Sequence, residues 1–191
     1  MPEPTDRELL KDIADGNAPA LRALYGRISD RVYNTALSYV QNEADAEEIT
    51  QDVFTKIWRS AGSFKAESQV TTWVYRITAN TSLTAIKKRG RRGLFSALSV
   101  REKEVPDFHH PNAVLEDREA NQALFAAIYR LPARQKTAFV LSFVEELPRQ
   151  QVAEVMDLSL KAVESLLMRA KKRLRTGLTI DYPHRGKANA K

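Results

Sequence analysis

Residues 63–92 read SFKAESQVTTWVYRITANTSLTAIKKRGRR, a stretch that joins an aromatic pair to a basic helix end. A wheel of 3.6 residues per turn predicts one apolar strip facing a core. Aromatic rings stack on unpaired bases and cations neutralise phosphate, so the pattern suits binding of opened nucleic acid. Taken alone, the stretch fits a solvated amphipathic helix better. The strip contains Val70, Val74, Ile77, Thr81 and Ala85; the pair is Trp73 and Tyr75; Arg76, Asn80 and Lys87 flank the strip; the basic end adds Lys88, Arg89, Arg91 and Arg92.

The composition indicates a folded protein and excludes several classes of site. At 191 residues, with 43% hydrophobic and 28% charged residues, the chain can form one large or two small domains. No apolar run approaches the roughly 18 residues of a membrane span, and the polar N-terminus argues against a secretory signal. The lack of cysteine excludes disulfides, thiolate zinc sites and thiol nucleophiles. We expect a cytoplasmic protein without membrane insertion, metal or other cofactor.

Charge alternates along the chain. Residues 1–56 have a net charge of −5 and residues 57–103 one of +8. Residues 104–160 then carry −4 and residues 161–191 carry +7. This alternation predicts two nucleic-acid-facing patches on two modules, with acidic surfaces left for a protein partner.

Helical periodicity predicts an all-α fold, with helices over residues 6–14 and 19–41 and a third starting at Asp45. Asp45 with Glu48 fits a capping box at the start of the third helix. Tyr25 belongs to the apolar side of the second helix. Capping and solvation explain the acidic residues of the third helix without any partner. Its predicted core residues are Ala46, Ile49, Val53, Phe54 and Ile57, and its outward residues are Glu48, Gln51, Asp52 and Thr55.

Two segments in the N-terminal half of the chain resemble region 2 of bacterial sigma factors. DAEEITQDVFTKIW at residues 45–58 is similar to the segment with which that family grips RNA polymerase. TTWVYRITANTSLTAIKKRGRR at residues 71–92 is similar to its promoter-melting and −10-recognition segment. The chain departs from many relatives at Ala79, where they carry a basic residue.

The resemblance implies a role for particular residues. The loop at residues 64–69 would receive a base flipped out of the opened strand. Core RNA polymerase would bind Asp45, Glu48, Gln51 and Asp52; the −10 DNA would contact Phe64, Lys65, Trp73, Tyr75, Arg76 and Asn80; and phosphates would bind Lys87, Lys88 and Arg89.

Glycine and proline interrupt the helical periodicity after Gly90. Residues 91–116 are therefore expected to be a flexible linker between two domains. His109 and His110 lie within it, but adjacent histidines point apart on an extended chain and no cysteine accompanies them, so we expect no metal.

The C-terminal half predicts a helix-turn-helix. Helices are expected over residues 117–130, from Pro132 to about Glu146, and from Pro148 to Met156. A turn at residues 157–160 then leads to a basic helix at residues 161–175. The predicted turn places Asp157 in the left-handed conformation, Ser159 at the N-cap, and Ala153, Val163 and Leu166 between the helices.

LPARQKTAFVLSFVEELPRQQVAEVMDLSLKAVESLLMRAKKRL at residues 131–174 resembles region 4 of the same family, which reads the −35 element. Relatives often carry basic residues where this chain has Glu164 and Leu166, and Leu166 suits packing better than a DNA contact. The resemblance directs Lys161, Ser165, Met168 and Arg169 toward the major groove, and Lys172 and Arg173 toward phosphates.

The chain therefore resembles the compact extracytoplasmic-function (ECF) group of sigma factors. The predicted domains are residues 1–90 and 117–178, with a disordered basic tail at 179–191. The resemblance implies a non-enzymatic factor that directs core polymerase to −35 and −10 elements, with promoter DNA as a partner and an anti-sigma protein as an expected inhibitor. The alternative is a stand-alone helix-turn-helix regulator whose N-terminal half dimerises or senses a ligand. An enzyme fits least, because no catalytic pattern is recognised.

Overall fold

The structure, a computed structural model, describes residues 3–95 and 118–181, and every regular element within these residues is helical. The all-α prediction is confirmed. The chain divides into two compact units, one holding the first four helices and the other the last four. The elements are α1 Asp6–Ala14, α2 Ala18–Val40, α3 Glu43–Ser60, a 3₁₀ turn Ala61–Ser63, α4 Val70–Phe95, α5 Arg118–Tyr129, α6 Ala133–Phe139, a π-helical turn Val140–Val144, α7 Arg149–Met156 and α8 Leu160–Asp181.

The N-terminal unit is built around mutual packing of α2, α3 and α4, with α1 lying against α2 and the 3₁₀ turn. Leu24, Val32 and Ile57 are at most 1% exposed and form part of its core. Their burial removes apolar surface from water, which is the main free energy that holds such a bundle together. This packing determines which sides of α3 and α4 face outward.

The start of α3 corrects the predicted capping box. The helix begins at Glu43, and the N-cap is Asn42, whose side-chain oxygen accepts a hydrogen bond of 2.9 Å from the amide of Asp45. Asp45 therefore lies inside the first turn and caps nothing. A capping box is present instead at α1, where the Thr5 and Glu8 side chains each accept a hydrogen bond from the other residue's amide. The Thr5 amide and the Thr5 hydroxyl both donate to the Glu8 carboxylate, and these two bonds lower the pKa of that exposed carboxyl.

The buried side of α4 lies roughly a quarter turn from the predicted apolar strip. Val70 and Val74 are buried as predicted, but Ile77 is only half-buried, whereas Thr78 and Ser82 are at most 1% exposed. Thr81 of the predicted strip is also buried, but the strip left out the two hydroxyl residues Thr78 and Ser82. The hydroxyls of Thr78 and Ser82 donate to the carbonyls of Val74 and Thr78, each at 2.9 Å, so they pack without an unmet hydrogen bond.

Helix α4 also runs further than expected. It passes through Gly90, where the sequence predicted its end, and continues to Phe95. Residues 91–95 of the predicted linker are thus helical, while the rest of the linker, including His109 and His110, lies outside the described residues. Likewise α8 reaches Asp181, and residues 182–191 of the predicted tail lie outside the described residues.

The C-terminal unit contains the predicted helix-turn-helix, formed by α7 and α8. Asp157 adopts the left-handed conformation, with φ 53° and ψ 52°. The Ser159 hydroxyl accepts a hydrogen bond of 3.2 Å from the amide of Ala162, as an N-cap does. Ala153, Val163 and Leu166 are buried, so the predicted turn sterics are confirmed. The helix expected up to Glu146 instead loosens into the π-helical turn.

Candidate polymerase and nucleic-acid interfaces

One exposed side of α3 holds the four residues predicted to bind polymerase. Glu48, Gln51 and Asp52 are exposed and Asp45 is half-buried, all opposite the buried residues that pack α3 on the bundle. Their spacing of three and four residues aligns them along about two turns. The structure therefore groups these four side chains into one acidic surface, called here the α3 surface.

Two aromatic residues at the edge of the α3 surface were not predicted as functional. Trp58 is 38% exposed and Tyr25 is 48% exposed. The Tyr25 ring packs on the ring of Phe54 with centroids 4.6 Å apart, and Trp58 follows Phe54 by one turn. The expected burial of Tyr25 on the apolar side of α2 is therefore wrong in part. The sequence signal for Trp58 was its position about two turns after the outward residue Gln51, which places both residues on one side of α3.

The outer side of α4 carries most of the residues predicted to meet DNA. Arg76 and Asn80 are exposed. Trp73 is half-buried and lies at the edge between these two residues and the core. The Trp73 ring faces the ring of Phe64, with centroids 5.5 Å apart and planes tilted by 58°. Phe64 lies in the loop that joins the 3₁₀ turn to α4, so this contact joins the loop to the helix. Lys65, Lys87, Lys88 and Arg89 are exposed.

Tyr75 does not belong to this surface. Its side chain is 6% exposed and lies in the core, on the same side of α4 as Thr78 and Ser82. The predicted stacking of a base on Tyr75 is therefore corrected. The physical reason is the rotated burial of α4, which turns position 75 inward and leaves position 73 at the edge.

An ion pair connects the two predicted surfaces of the N-terminal unit. The Arg89 guanidinium, near the end of α4, contacts the Asp45 carboxylate at the start of α3. Both side chains are partly exposed, at 62% and 35%. Such pairs contribute about 0–1 kcal/mol and weaken as salt rises. One residue predicted to bind phosphate thus neutralises one predicted to bind polymerase.

The exposed side of α8 presents the residues predicted to read duplex DNA. Lys161, Arg169, Lys172 and Arg173 are exposed, and Met168 is 67% exposed. Ser165 is half-buried and accepts a bond of 3.3 Å from the Arg169 guanidinium, which also donates to the Ser165 carbonyl at 3.2 Å. Arg169 is therefore held along its own helix. Leu166 is buried, as expected for packing.

The C-terminal unit holds one unusual buried charge behind these residues. Lys136 of α6 is 3% exposed, and its ammonium lies 4.3 Å from the centroid of the Tyr129 ring. Burial lowers the pKa of Lys136 to about 8, because removal from water penalises the charged form. The aromatic face offsets part of this penalty. A second lysine, Lys171 of α8, lies over the Phe143 ring of the π-helical turn at 4.5 Å.

Neither a metal cluster nor a membrane span is found over residues 3–95 and 118–181. No group of three or more histidine, cysteine, aspartate or glutamate side chains there could hold a metal ion. No helix in these two ranges has the length and apolar character needed to cross a membrane.

Comparison with known proteins agrees with both units. Residues 24–92 match the family model for sigma-70 region 2, and residues 121–174 match that for sigma-70 region 4. The ECF RNA polymerase sigma-E factor of Haemophilus influenzae is 30% identical over 174 residues, covering 87% of this chain and 92% of that protein. The sigma-E factor of Escherichia coli K12 is 28% identical, covering 87% and 91%.

Two solved structures share the fold. CnrH, in complex with the cytosolic domain of CnrY, gives a TM-score of 0.64 at 24% identity and covers 92% of this chain and 98% of CnrH. RpoE of Bartonella quintana, in complex with the anti-sigma factor NepR, gives 0.64 at 23% identity and covers 84% and 97%. The identity, length and order of these matches lead to one conclusion. The chain belongs to the ECF group of RNA polymerase sigma factors.

Proposed function

We propose that this sigma factor binds core RNA polymerase through the α3 surface. Asp45, Glu48, Gln51 and Asp52 would supply acidic and amide groups that complement a basic partner surface. Trp58 and Tyr25 would add aromatic contact area beside them, since exposed aromatic residues are enriched where proteins bind one another. The polymerase performs the chemistry, and the sigma factor is not an enzyme.

The outer side of α4 and its preceding loop would hold the opened −10 strand. Trp73 offers an aromatic face, and Arg76 and Asn80 lie one and two turns from it on exposed helix surface. Phe64 and Lys65 of the loop would border a flipped base. Lys87, Lys88 and Arg89 would neutralise phosphates, with Arg89 exchanging its bond to Asp45 for one to DNA.

Helix α8 would enter the major groove at the −35 element. Lys161, Ser165, Met168 and Arg169 lie toward the first half of the helix, which is the half that contacts base edges in helix-turn-helix proteins. Lys172 and Arg173 follow one turn later and would bind phosphates. Because each unit alone offers a modest surface, firm promoter binding would need both units and the polymerase together.

We also propose the domain limits and the cellular context. The first domain would end with α4 and the second would begin with α5, which places the linker between residues 95 and 118. Sigma factors act with RNA polymerase, so the chain would work in the cytoplasm. An anti-sigma protein is a proposed partner, since CnrH and RpoE were both solved with a bound protein, named an anti-sigma factor in the RpoE complex.

The observation that carries the proposal is that the exposed residues of α3, α4 and α8 lie within the two matched sigma regions, in family order. The test is run-off transcription with purified core polymerase on a genomic library. We expect discrete start sites that share a −35 and a −10 motif. The absence of any start site above that of core polymerase alone contradicts the proposal.

Variants of α4 separate this function from that of a stand-alone regulator. Trp73→Ala and Asn80→Ala should abolish strand opening while the protein still binds polymerase, and Arg22→Gln, on the exposed side of α2, is the control. A stand-alone regulator would bind a two-fold operator without polymerase and would not need Trp73. Tight, specific binding of the isolated chain to duplex DNA in a gel shift favours that alternative.

A further inference from the structure

We propose that Arg7 of α1 is a positioning residue for the loop at residues 64–69, called here the −10 loop, and so tunes promoter base preference. The proposal deepens the proposed function, on which its transcription test rests. The Arg7 guanidinium donates a hydrogen bond of 3.3 Å to the carbonyl oxygen of Ala66. This bond spans 59 residues and joins the first helix of the chain to the middle of the loop.

The bond is made to the residue of the loop whose backbone conformation is unfavourable. Ala66 has φ +55°, a left-handed conformation that an alanine adopts at a cost of roughly 1–2 kcal/mol. The residue therefore returns to extended or right-handed conformations unless a contact holds it. Arg7 supplies such a contact from outside the loop. Two residues before Ala66, the ring of Phe64 lies against the ring of Trp73, the residue proposed to stack on the opened strand.

Helix α1 packs firmly on the bundle, so the backbone that carries the exposed Arg7 side chain is held in place. Leu9, Leu10 and Ile13 are at most 3% exposed. The far end of α1 contacts the 3₁₀ turn before the loop, since the Ala14 β-carbon lies 3.9 Å from an ideal β-carbon built at Gly62. The start of α1 and the segment before it are tied to α2 by Arg27, whose guanidinium donates to the Pro4 carbonyl at 2.7 Å, to Asp6 at 3.1 Å and to Glu3 at 3.3 Å.

Through these contacts α1 connects α2 to the −10 loop. The bond from Arg7 favours one conformation of the loop backbone. Because the Phe64 ring contacts Trp73, that conformation also determines how the two rings are placed relative to each other. A loop that samples several shapes accepts several bases with similar affinity, because preference depends on a preorganised pocket. Loss of Arg7 should therefore reduce discrimination among bases more than it reduces total transcription.

The first test uses the free protein and does not depend on the function. NMR chemical shifts and ¹⁵N relaxation of residues 64–69 are compared in the full chain, Arg7→Gln and Lys11→Gln. Lys11→Gln removes the same charge from an exposed position of the same helix. We expect Arg7→Gln to move the Ala66 signals toward random-coil values and to increase loop motion, with Lys11→Gln unchanged. An unchanged loop in Arg7→Gln overturns the proposal.

The second test measures base preference with core polymerase. Transcription is measured on promoters that carry each base at every −10 position. One hydrogen bond should contribute a roughly five-fold ratio between best and worst base at the affected position. We expect Arg7→Gln to reduce that ratio by about this factor, Arg7→Lys to retain most of it, and Lys11→Gln to retain all of it. An equal fall on every promoter, or an unchanged ratio, overturns the proposal.

The two tests separate failure of the inference from failure of the proposed function. If the unmodified chain directs no transcription, the sigma function proposed for its residues fails, while the NMR comparison still decides whether Arg7 holds the loop. A loop that loosens without any change in base preference refutes the specificity role alone.

Discussion

At the scale of single residues, Lys136 shows how burial alters an ordinary side chain. Its pKa is about 8 in the folded protein, against 10.5 for a free lysine. Between these values the unfolded chain binds more protons than the folded one. The free energy of unfolding therefore rises with pH across this window, and below pH 8 the full penalty of burying the ammonium is present.

We expect the C-terminal unit to become more stable from about pH 8 to about pH 10.5, by at most on the order of 3 kcal/mol. Urea unfolding followed by far-UV circular dichroism measures this change. Both tryptophans lie in the N-terminal unit, so fluorescence reports that unit separately. Lys136→Met is the control, because it should stabilise the unit at pH 7 and remove this rise. A parent chain with the same pH profile as Lys136→Met contradicts the assignment.

Tyr75 and Trp73 are two residues apart but belong to different parts of the protein. We expect Tyr75→Ala to reduce the free energy of unfolding of the N-terminal unit by about 3–5 kcal/mol, because it opens a cavity in the core. Trp73→Ala, at a half-buried site, should destabilise less and yet abolish promoter opening. Urea unfolding monitored by Trp58 fluorescence, with transcription in parallel, tests the pair. A stable Tyr75→Ala protein that fails only in transcription would return Tyr75 to the DNA surface.

At the scale of an element, the start of α3 provides a comparison between a cap and an ion pair. We expect Asn42→Ala to cost about 1 kcal/mol of stability, because the Asp45 amide loses its acceptor. Asp45→Ala removes only the exposed pair with Arg89 and should cost less, about 0–1 kcal/mol. Fluorescence-monitored urea unfolding measures both. The opposite ranking would show that Asp45 is the cap after all.

Most helices could be predicted from the sequence, because apolar spacing and punctuation by glycine, proline and capping residues act locally. The bounds of α1 and the turn at Asp157 to Ser159 are examples. The rotation of α4 could not be predicted, because Thr78 and Ser82 bury hydroxyls that bond within their own helix and so behave as apolar. Tyr75 was misassigned for the same reason.

The candidate site shows the same limit. Exposure of Lys161 agrees with the basic character predicted for α8, whereas exposure of the apolar Met168 was implied only by the family resemblance. The contacts of Arg7 with Ala66 and of Arg89 with Asp45 could not be predicted, since each joins residues more than 40 positions apart. The sequence contains no local signal for such pairs, and only the packing of the helices brings them together.

At the scale of the whole molecule, the alternating charge predicts how promoter binding responds to salt. With holoenzyme on a labelled promoter, the logarithm of affinity should fall linearly with the logarithm of salt concentration. We expect Lys172→Gln to reduce that slope by about 0.9, the value for one contact to duplex phosphate, and Lys87→Gln by about 0.7, the value for single-stranded DNA. Lys11→Gln should leave the slope unchanged. Equal slopes in all three variants would exclude Lys87 and Lys172 as phosphate ligands.

Buried serines of the N-terminal unit, whose hydroxyls bond to carbonyls of their own helices, should tolerate smaller side chains better than larger ones. Ser38 and Ser82 are fully buried, and their hydroxyls donate to carbonyls one turn earlier in their own helices. Removing the Ser82 oxygen leaves a small side chain in place, and the Thr78 carbonyl keeps its backbone amide bond within α4. Adding carbon atoms forces α2 or α4 away from its neighbours, at a cost of about 1–3 kcal/mol. Alanine should therefore be an accepted replacement for Ser82 in related chains, and leucine should be rejected at both positions.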